Sequence, residues 1–372
     1  MACVNNALIV GGGIAGLSAA IVLSRQGIAC DLVEITASGE PIGAAITITG
    51  PAIAALAAMG ILESCRELGH VNPLSQDRFD AMGQPIELAG DRPPPSAIGM
   101  YRPVLAELLR AQARQHNVRL RYGTSVKSLT QQTDAVVATL SDGSVGKYDL
   151  VVGADGIRSA VRGLLFGAHL QPVHAGQTSV RWMAEGSPIV GPSMMYRAPT
   201  VYVLSYSLPR QNLTYVATVS DLDPGAHIDD SQAREVLRQQ LACFSAPYIV
   251  ELAKRLRPDS KVIVRPFEWL LVPDPWFQGR VLLIGDAAHA TTAHLAAGGG
   301  MAMEDAVVLA ECLATNLSVA ASLQAFMRRR FGRVRLVVES GVAIIGLEHD
   351  GTSPHDIEAF RLDVLRQLAA PY

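Results

Sequence analysis

The sequence predicts an α/β fold: a doubly wound nucleotide-binding sheet, an antiparallel β-sheet inserted into it, and helices closing the C-terminus. Three observations predict this. The chain opens with an apolar run (ALIV, 7–10), a turn (GGGIAG), a helical pattern with a glycine stop (LSAAIVLSRQG) and a second apolar run (CDLVEI, 30–35). That is the β-turn-α-β start of a doubly wound sheet. From about residue 175 the runs TSVRWMAEG, TVYVLSYS and LTYVATVSD are β-branched and aromatic with polar turns between them, the signature of antiparallel strands. Then RVLLIGD (280–286) returns to the buried-strand style, and the remainder has helical periodicity. The expected units are 1–174, with a small insertion about 70–100, then 175–275, then 276–372.

Between these landmarks each element has its own signal. Ala44–Leu62 is apolar but interrupted by Thr47, Thr49 and Pro51, so it reads as strand, turn and buried helix, not a membrane span. A helical pattern covers Val104–His116, and strand-like runs follow at Val118–Tyr122 and Asp134–Leu140. Asp142-Gly143 predicts a hairpin turn between the second run and the apolar strand YDLVVGAD (148–155). Helices are expected near Ser231–Phe244 and Tyr248–Leu256, and KVIVRPFEWLLV is the last strand of the inserted sheet.

Composition narrows the function. The chain has 372 residues, 49% hydrophobic and 17% charged, enough for a large core and more than one domain. A net charge of -3 gives no sign of a nucleic-acid binder. Cys3, Cys30, Cys65, Cys243 and Cys312 lie far apart, without zinc or disulfide spacing, which implies reduced thiols and a cytoplasmic protein. The start MACVNNALIVGGG lacks the basic region of a signal peptide.

Gly11, Gly13 and Gly16 match G-x-G-x-x-G between a strand and a helix, and Glu34 ends the next strand. Gly11 permits the tight turn, Gly13 lets a pyrophosphate approach the backbone, and Gly16 lets helix and strand pack closely. The helix N-terminus offers free N–H groups and a partial positive charge to that pyrophosphate. Glu34 would accept hydrogen bonds from an adenosine ribose. The pattern predicts a bound dinucleotide and leaves NAD and FAD both open.

Two further stretches bear on that choice: DLVVGADGIRSAVR (149–162) and GDAAHATTAHLAAGGGMAMEDA (285–306). Taken in order with the first motif, they resemble the group A flavoprotein monooxygenases, the single-component FAD-dependent aromatic hydroxylases of the p-hydroxybenzoate hydroxylase type. The resemblance covers nearly the whole chain. It implies a Rossmann-like FAD-binding domain with an inserted substrate domain, tightly bound FAD, and NAD(P)H as a transient co-substrate without its own fingerprint. It implies cofactor contacts at Gly11, Gly13, Ala15, Gly16 and Glu34, at Asp155 of the Asp-Gly segment, and at Asp286 on the ribityl chain. Ala45 within PIGAAITITGPAIAALAAMGI (41–61), Arg102 within YRPVLAELL (101–109) and the Val126 backbone are further implied contacts. The implied reaction delivers one oxygen atom from a flavin C4a-hydroperoxide to a small aromatic or N-heteroaromatic substrate. The same fold also serves dehydrogenases or reductases without oxygen insertion, and non-catalytic flavin binders.

The residues themselves agree with a flavin. Asp286, ending a buried strand, needs hydroxyl or N–H partners, and a polyol chain supplies hydroxyls. Gly298, Gly299 and Gly300 expose N–H groups where a helix begins, and those donors suit the negatively charged edge of a reduced flavin. The chain departs from the family where many members carry proline before the glycine turn and Gly-Gln within it; here Ala293, Ala296 and Ala297 stand. Small residues enlarge the pocket, and the loss of proline frees a backbone torsion. Ile35 replaces a common arginine.

His289 and His294 have no metal-ligand spacing, so no metal is expected, and no G-x-S-x-G elbow supports a hydrolase. His289 reads as structural, and His294 as the candidate catalytic or substrate residue. Strand alternation puts Tyr202, Leu204 and Tyr206 on one face and Val201, Val203 and Ser205 on the other, with the substrate side undecided. Arg181 reads as a surface strand residue or a partner for a substrate carboxylate. Tyr196 and Tyr215 read as core aromatics or substrate hydrogen-bond donors. Arg328–Arg330 is expected to be a solvated helix face. The expected partners are a small aromatic or heteroaromatic substrate and O2, without nucleic acid or integral membrane association, in a monomer or homodimer.

Overall fold

Asn6–Val10 buries four of its five side chains and becomes an inner strand of a six-stranded sheet. In order the strands are Phe277–Gln278, Val281–Leu283, Leu150–Gly153, Asn6–Val10, Ala29–Glu34 and Arg119–Tyr122, parallel except for the first. The computed structural model describes residues 3–38, 44–50, 52–73, 77–87, 96–186, 193–223 and 228–372. The expected segment 70–100 and the motif 41–61 therefore lie partly outside the described residues.

The helices among those residues are α1 (Ile14–Arg25), α2 (Ala52–Ala58), α3 (Leu62–Leu68), α4 (Arg102–Gln115), α5 (Ala160–Phe166), α6 (Ala233–Leu241), α7 (Pro247–Ala253), α8 (Gly298–Thr315), α9 (Val319–His349) and α10 (Pro354–Leu368). Helix α1 is buried from Ala15 through Leu23 because α8 and α4 pack on it in addition to the sheet. A helix apolar all round is a core helix. No helix of the described residues is long and apolar enough to cross a membrane.

The inserted sheet has seven strands, in the order His289–Ala290, Val262–Leu271, Val173–Glu185, Leu213–Asp221, Val201–Leu208, Met194–Arg197 and Asp77–Asp80. Two of these correct the sequence reading. Asp77–Asp80 comes from the early segment and pairs parallel to Met194–Arg197, so the sheet is not purely antiparallel. His289–Ala290 adds the opposite edge from the returning chain. Helices α6 and α7 cover one face, burying Val201 and Val203 with Leu237 and Ile249. Ser205 on that face meets the Tyr248 hydroxyl at 2.7 Å.

The Asp142-Gly143 turn is a hairpin, but it joins Val136–Leu140 to Val145–Tyr148. The apolar strand beyond it leaves for the parallel sheet. The third strand of this small sheet, Val126–Gln131, lacks an apolar run because most of its residues face water. A further correction concerns Arg328–Arg330. Arg328 and Arg329 are exposed, whereas Arg330 is fully buried between Glu304 at 2.6 Å and Asp305 at 2.8 Å. Charge runs on a helix say nothing of the one position that turns inward.

Candidate active site

The first glycine turn is held by close approach. Gly11 has φ of +112°, and a Cβ there would lie 2.2 Å from the Ala154 carbonyl oxygen. A Cβ on Gly16 would lie 1.9 Å from the Gly11 carbonyl oxygen, so α1 is pressed against the turn. A Cβ on Gly13 would meet nothing within 4 Å among the described residues, and α1 begins there without a side-chain cap. Free N–H groups thus face open space, which suits a phosphate. Glu34 stands beside the turn, accepting the Gly12 N–H at 2.6 Å and the Thr36 N–H at 2.8 Å. Thr124 donates its N–H to the Glu34 carbonyl at 3.0 Å, which brings the strand opened by Val126 to the same edge.

The returning chain closes on this turn. A Cβ on Gly285 would lie 2.8 Å from the Ala15 Cβ, so the two motifs touch. Asp286 sits in a short 3-10 turn past the strand that ends at Leu283, and its side chain is exposed, not buried as the sequence implied. The surrounding protein still thins its hydration and holds the carboxyl above the usual carboxylate range, against the pull of His289 and Arg102. Arg102 opens α4, its N–H donating to the Ala44 carbonyl at 3.1 Å, and Ala45 pairs with Tyr101. Burial and the like charge of Arg181 lower the Arg102 pKa against the pull of Asp286.

Gly298, Gly299 and Gly300 form the first turn of α8, which has no side-chain cap. Their smallness has a reason the sequence did not show. A Cβ on Gly299 would lie 2.7 Å from Ile46 Cδ1, and one on Gly300 2.9 Å from the Ala52 Cβ. The glycines let α8 pack against the strand Ala45–Thr49 and α2, besides leaving N–H groups free.

A cavity of about 140 Å³ opens beside this cleft. Tyr202, Leu204 and Tyr206 line it, which settles the face of that strand, and Arg181, Tyr215 and His294 join them. Arg181 is therefore a pocket residue and not a surface one; its Nε lies 3.3 Å from Ser179 Oγ. Burial pushes the Tyr202 and Tyr206 phenols well above their ordinary range, so both stay protonated donors. The Tyr206 hydroxyl is buried, with the Thr47 side chain beside it. His294 is held at both nitrogens, Nδ1 at 3.0 Å from Thr292 Oγ1 and Nε2 at 3.1 Å from Gln177 Oε1. Since an amide oxygen only accepts, Nε2 carries the proton. Beyond it, Glu348 accepts from Gln177 at 2.9 Å and Arg197 at 3.0 Å. Burial alone would raise the Glu348 carboxyl, but His294, Gln177 and Arg197 outweigh it and hold it near about 2.

Two uncapped helix N-termini, an open Gly13 turn and an exposed carboxylate opposite Arg102 fit an extended dinucleotide with a polyol chain. A family profile for the FAD binding domain matches residues 5–340. This chain belongs to that family, the group A flavoprotein monooxygenases. It is 32% identical over 343 residues to the 2-heptyl-3-hydroxy-4(1H)-quinolone synthase of Pseudomonas aeruginosa, covering 89% of this chain and 86% of the relative. It is 29% identical over 357 residues to an FAD-dependent urate hydroxylase of Klebsiella pneumoniae, covering 89% and 87%. The crystal structure of Klebsiella pneumoniae HpxO complexed with FAD and uric acid superposes with a TM-score of 0.80 at 25% identity, covering 98% and 94%. The cofactor of this flavoprotein monooxygenase is FAD.

Other residues of the flavoprotein have structural work. Asp155 accepts the Ser159 hydroxyl at 2.5 Å and the Ala160 and Val161 N–H groups at 2.7 and 3.0 Å, so its carboxylate caps α5. Arg162 is buried against the carbonyls of Ile157, Leu170 and Ala287, and Arg158 pairs with Glu268. His289 is buried and bonds Asp305 at 2.6 Å. Tyr196 stacks between Phe79 and Tyr248 in the core and leaves the cavity to its neighbours. The sequence reading missed Arg78, Arg197, Glu348, Glu358 and Arg361, all lining the cavity. None lies in a motif, and only the tertiary fold brings α9 and α10 to the sheet.

Proposed function

We propose that this enzyme hydroxylates a small aromatic or heteroaromatic substrate with NAD(P)H as electron donor and O2 as oxygen source. The balance is substrate C–H, O2, NAD(P)H and one proton giving substrate C–OH, water and NAD(P)+. The observation that supports it is the cavity in which Ala293 and Ala296, on the loop that leads into the α8 glycine turn, face the sheet residues Arg181, Tyr206 and Tyr215. Its volume of about 140 Å³ matches a site for one aromatic ring, since an engineered cavity near 150 Å³ holds benzene. When bound, FAD supplies hydride acceptance from the nicotinamide and the activation of O2.

The chain supplies the rest. The α1 N-terminus and Gly13 take the pyrophosphate, Glu34 the adenosine ribose, the Val126 backbone the adenine, and Asp286 the ribityl hydroxyls. The N–H groups of Gly298 to Gly300, with the α8 dipole, offset negative charge at the pyrimidine edge. Tyr206 and Tyr215, tilted against each other with ring centroids 5.0 Å apart, donate to acceptor groups of the substrate, and Arg181 holds its orientation. His294 positions the wall through Thr292 and Gln177 and needs no free nitrogen for this. Asp155 positions the Asp-Gly loop by capping α5.

The test is NAD(P)H oxidation by purified holoenzyme with phenols, benzoates, pyridines and purines, followed by product mass. We expect at least one aromatic to stimulate oxidation and to gain one oxygen atom from O2. Stimulated oxidation with only hydrogen peroxide and unaltered substrate would contradict the hydroxylase reading and favour a reductase.

A further inference from the structure

The cavity has a second end, built by α10 and the strand Asp77–Asp80, which bring Glu358, Arg361 and Arg78 to its wall. Arg361 donates to Glu358 through Nε at 2.9 Å and Nη2 at 2.7 Å. Arg78 donates to the same carboxylate across the cavity from the sheet. Side-chain exposure is 13% for Arg78, 12% for Glu358 and 14% for Arg361. Two guanidinium groups therefore share one carboxylate in a nearly dry place. The neighbouring Arg197 is already matched by Glu348, so among the described residues this end keeps one positive charge in excess. Burial, with Arg361 and Arg197 adding to it, lowers the Arg78 pKa in spite of Glu358. Arg78 Nε is buried without a hydrogen-bond partner among the described residues. An uncompensated buried cation is costly unless an anion completes it.

The FAD binding domain match ends at residue 340, so α10, at Pro354–Leu368, lies outside the matched cofactor domain. We propose that Arg78 and Arg361 form an anion subsite that selects substrates bearing an acidic group, with the ring it carries lying toward Ala293 and Ala296. The proposal rests on the hydroxylase reading and names the substrate class within it. A planar carboxylate matches the paired donors of a guanidinium edge, where a neutral amide meets an unneutralised charge.

The test uses the holoenzyme and the change in bound-flavin absorbance on titration with benzoate, phenylacetate and 3-phenylpropanoate, each beside its primary amide. In the wild type at least one acid binds more tightly than its amide. Arg361→Gln weakens that acid on the order of ten- to hundred-fold, leaving the amide and the flavin spectrum unchanged. Glu358→Gln, which releases both guanidinium groups, tightens the acid; an ion pair serving only to hold α10 would not give that sign. The proposal is overturned if no acid outbinds its amide, if Arg361→Gln weakens acid and amide equally, or if Glu358→Gln weakens the acid. Protein that retains no FAD overturns this proposal and the hydroxylase reading together. Holoenzyme that hydroxylates only neutral aromatics overturns this proposal alone.

Discussion

Asp286 carries the most specific claim made for any single residue. Its side chain is exposed and makes no contact that the fold needs, so Asp286→Ala should leave the melting temperature near that of the wild type. FAD affinity should fall by about ten-fold or more, the loss of hydrogen bonds to a charged group. Fluorescence titration of apoprotein with FAD measures it, and an unchanged affinity would remove Asp286 from the cofactor site. Glu348 tests the cavity by pH. Its carboxyl lies near about 2 against an ordinary 4.5, so the folded state prefers the anion. That stability is present above pH 4.5 and is lost as pH falls toward 2, with a size on the order of 3 kcal/mol. Urea unfolding should show Glu348→Gln less stable than the wild type at neutral pH, with the difference narrowing below pH 4.5; a difference independent of pH contradicts the assignment. At this scale the sequence was uneven. Gly11, Gly16 and Glu34 were legible because a tight turn and its partner strand have fixed spacing. Arg181 was left open between the surface and the substrate pocket, since alternation along a strand gives two faces without saying which is covered.

Among the elements, the packing of α8 on α9 holds the returning motif in place. Asp305 on α8 accepts the Gly285 N–H at 2.9 Å and the His289 ring at 2.6 Å, while Arg330 on α9 neutralises it. Removing the arginine would take the shared buried cation from two carboxylates, leaving Glu304 with Arg333 and Asp305 with the His289 ring and the Gly285 N–H. Arg330→Ala should therefore cost about 3–5 kcal/mol, read as a lowered denaturation midpoint at unchanged m-value. A loss below 1 kcal/mol would mean that the pair is not buried as described. This network was invisible in the sequence, where Arg328 to Arg330 looked like a solvated run. Strands and helices with strong periodicity, such as Asn6–Val10 and α4, were legible to within two residues. Val126–Gln131 and Asp77–Asp80 were not, because short, half-exposed strands carry no apolar signature and take their identity from the neighbour they pair with.

Across the whole molecule, one fact organises the rest: segments 270 residues apart meet at Gly285 and Ala15. The order of motifs made this meeting legible, since a doubly wound sheet places strand ends and helix starts along one edge. The cavity was not legible. Its walls come from the inserted sheet, the loop before α8, and α9 and α10, and nothing in composition or period registers such a convergence. The cofactor claim rests on the meeting of the two motifs, and the flavin content of the purified protein tests it most directly. Absorbance of protein denatured to release its cofactor should give one FAD per chain in the wild type and a clear deficit in Asp286→Ala. Colourless wild-type protein that takes up no FAD on titration would contradict the account.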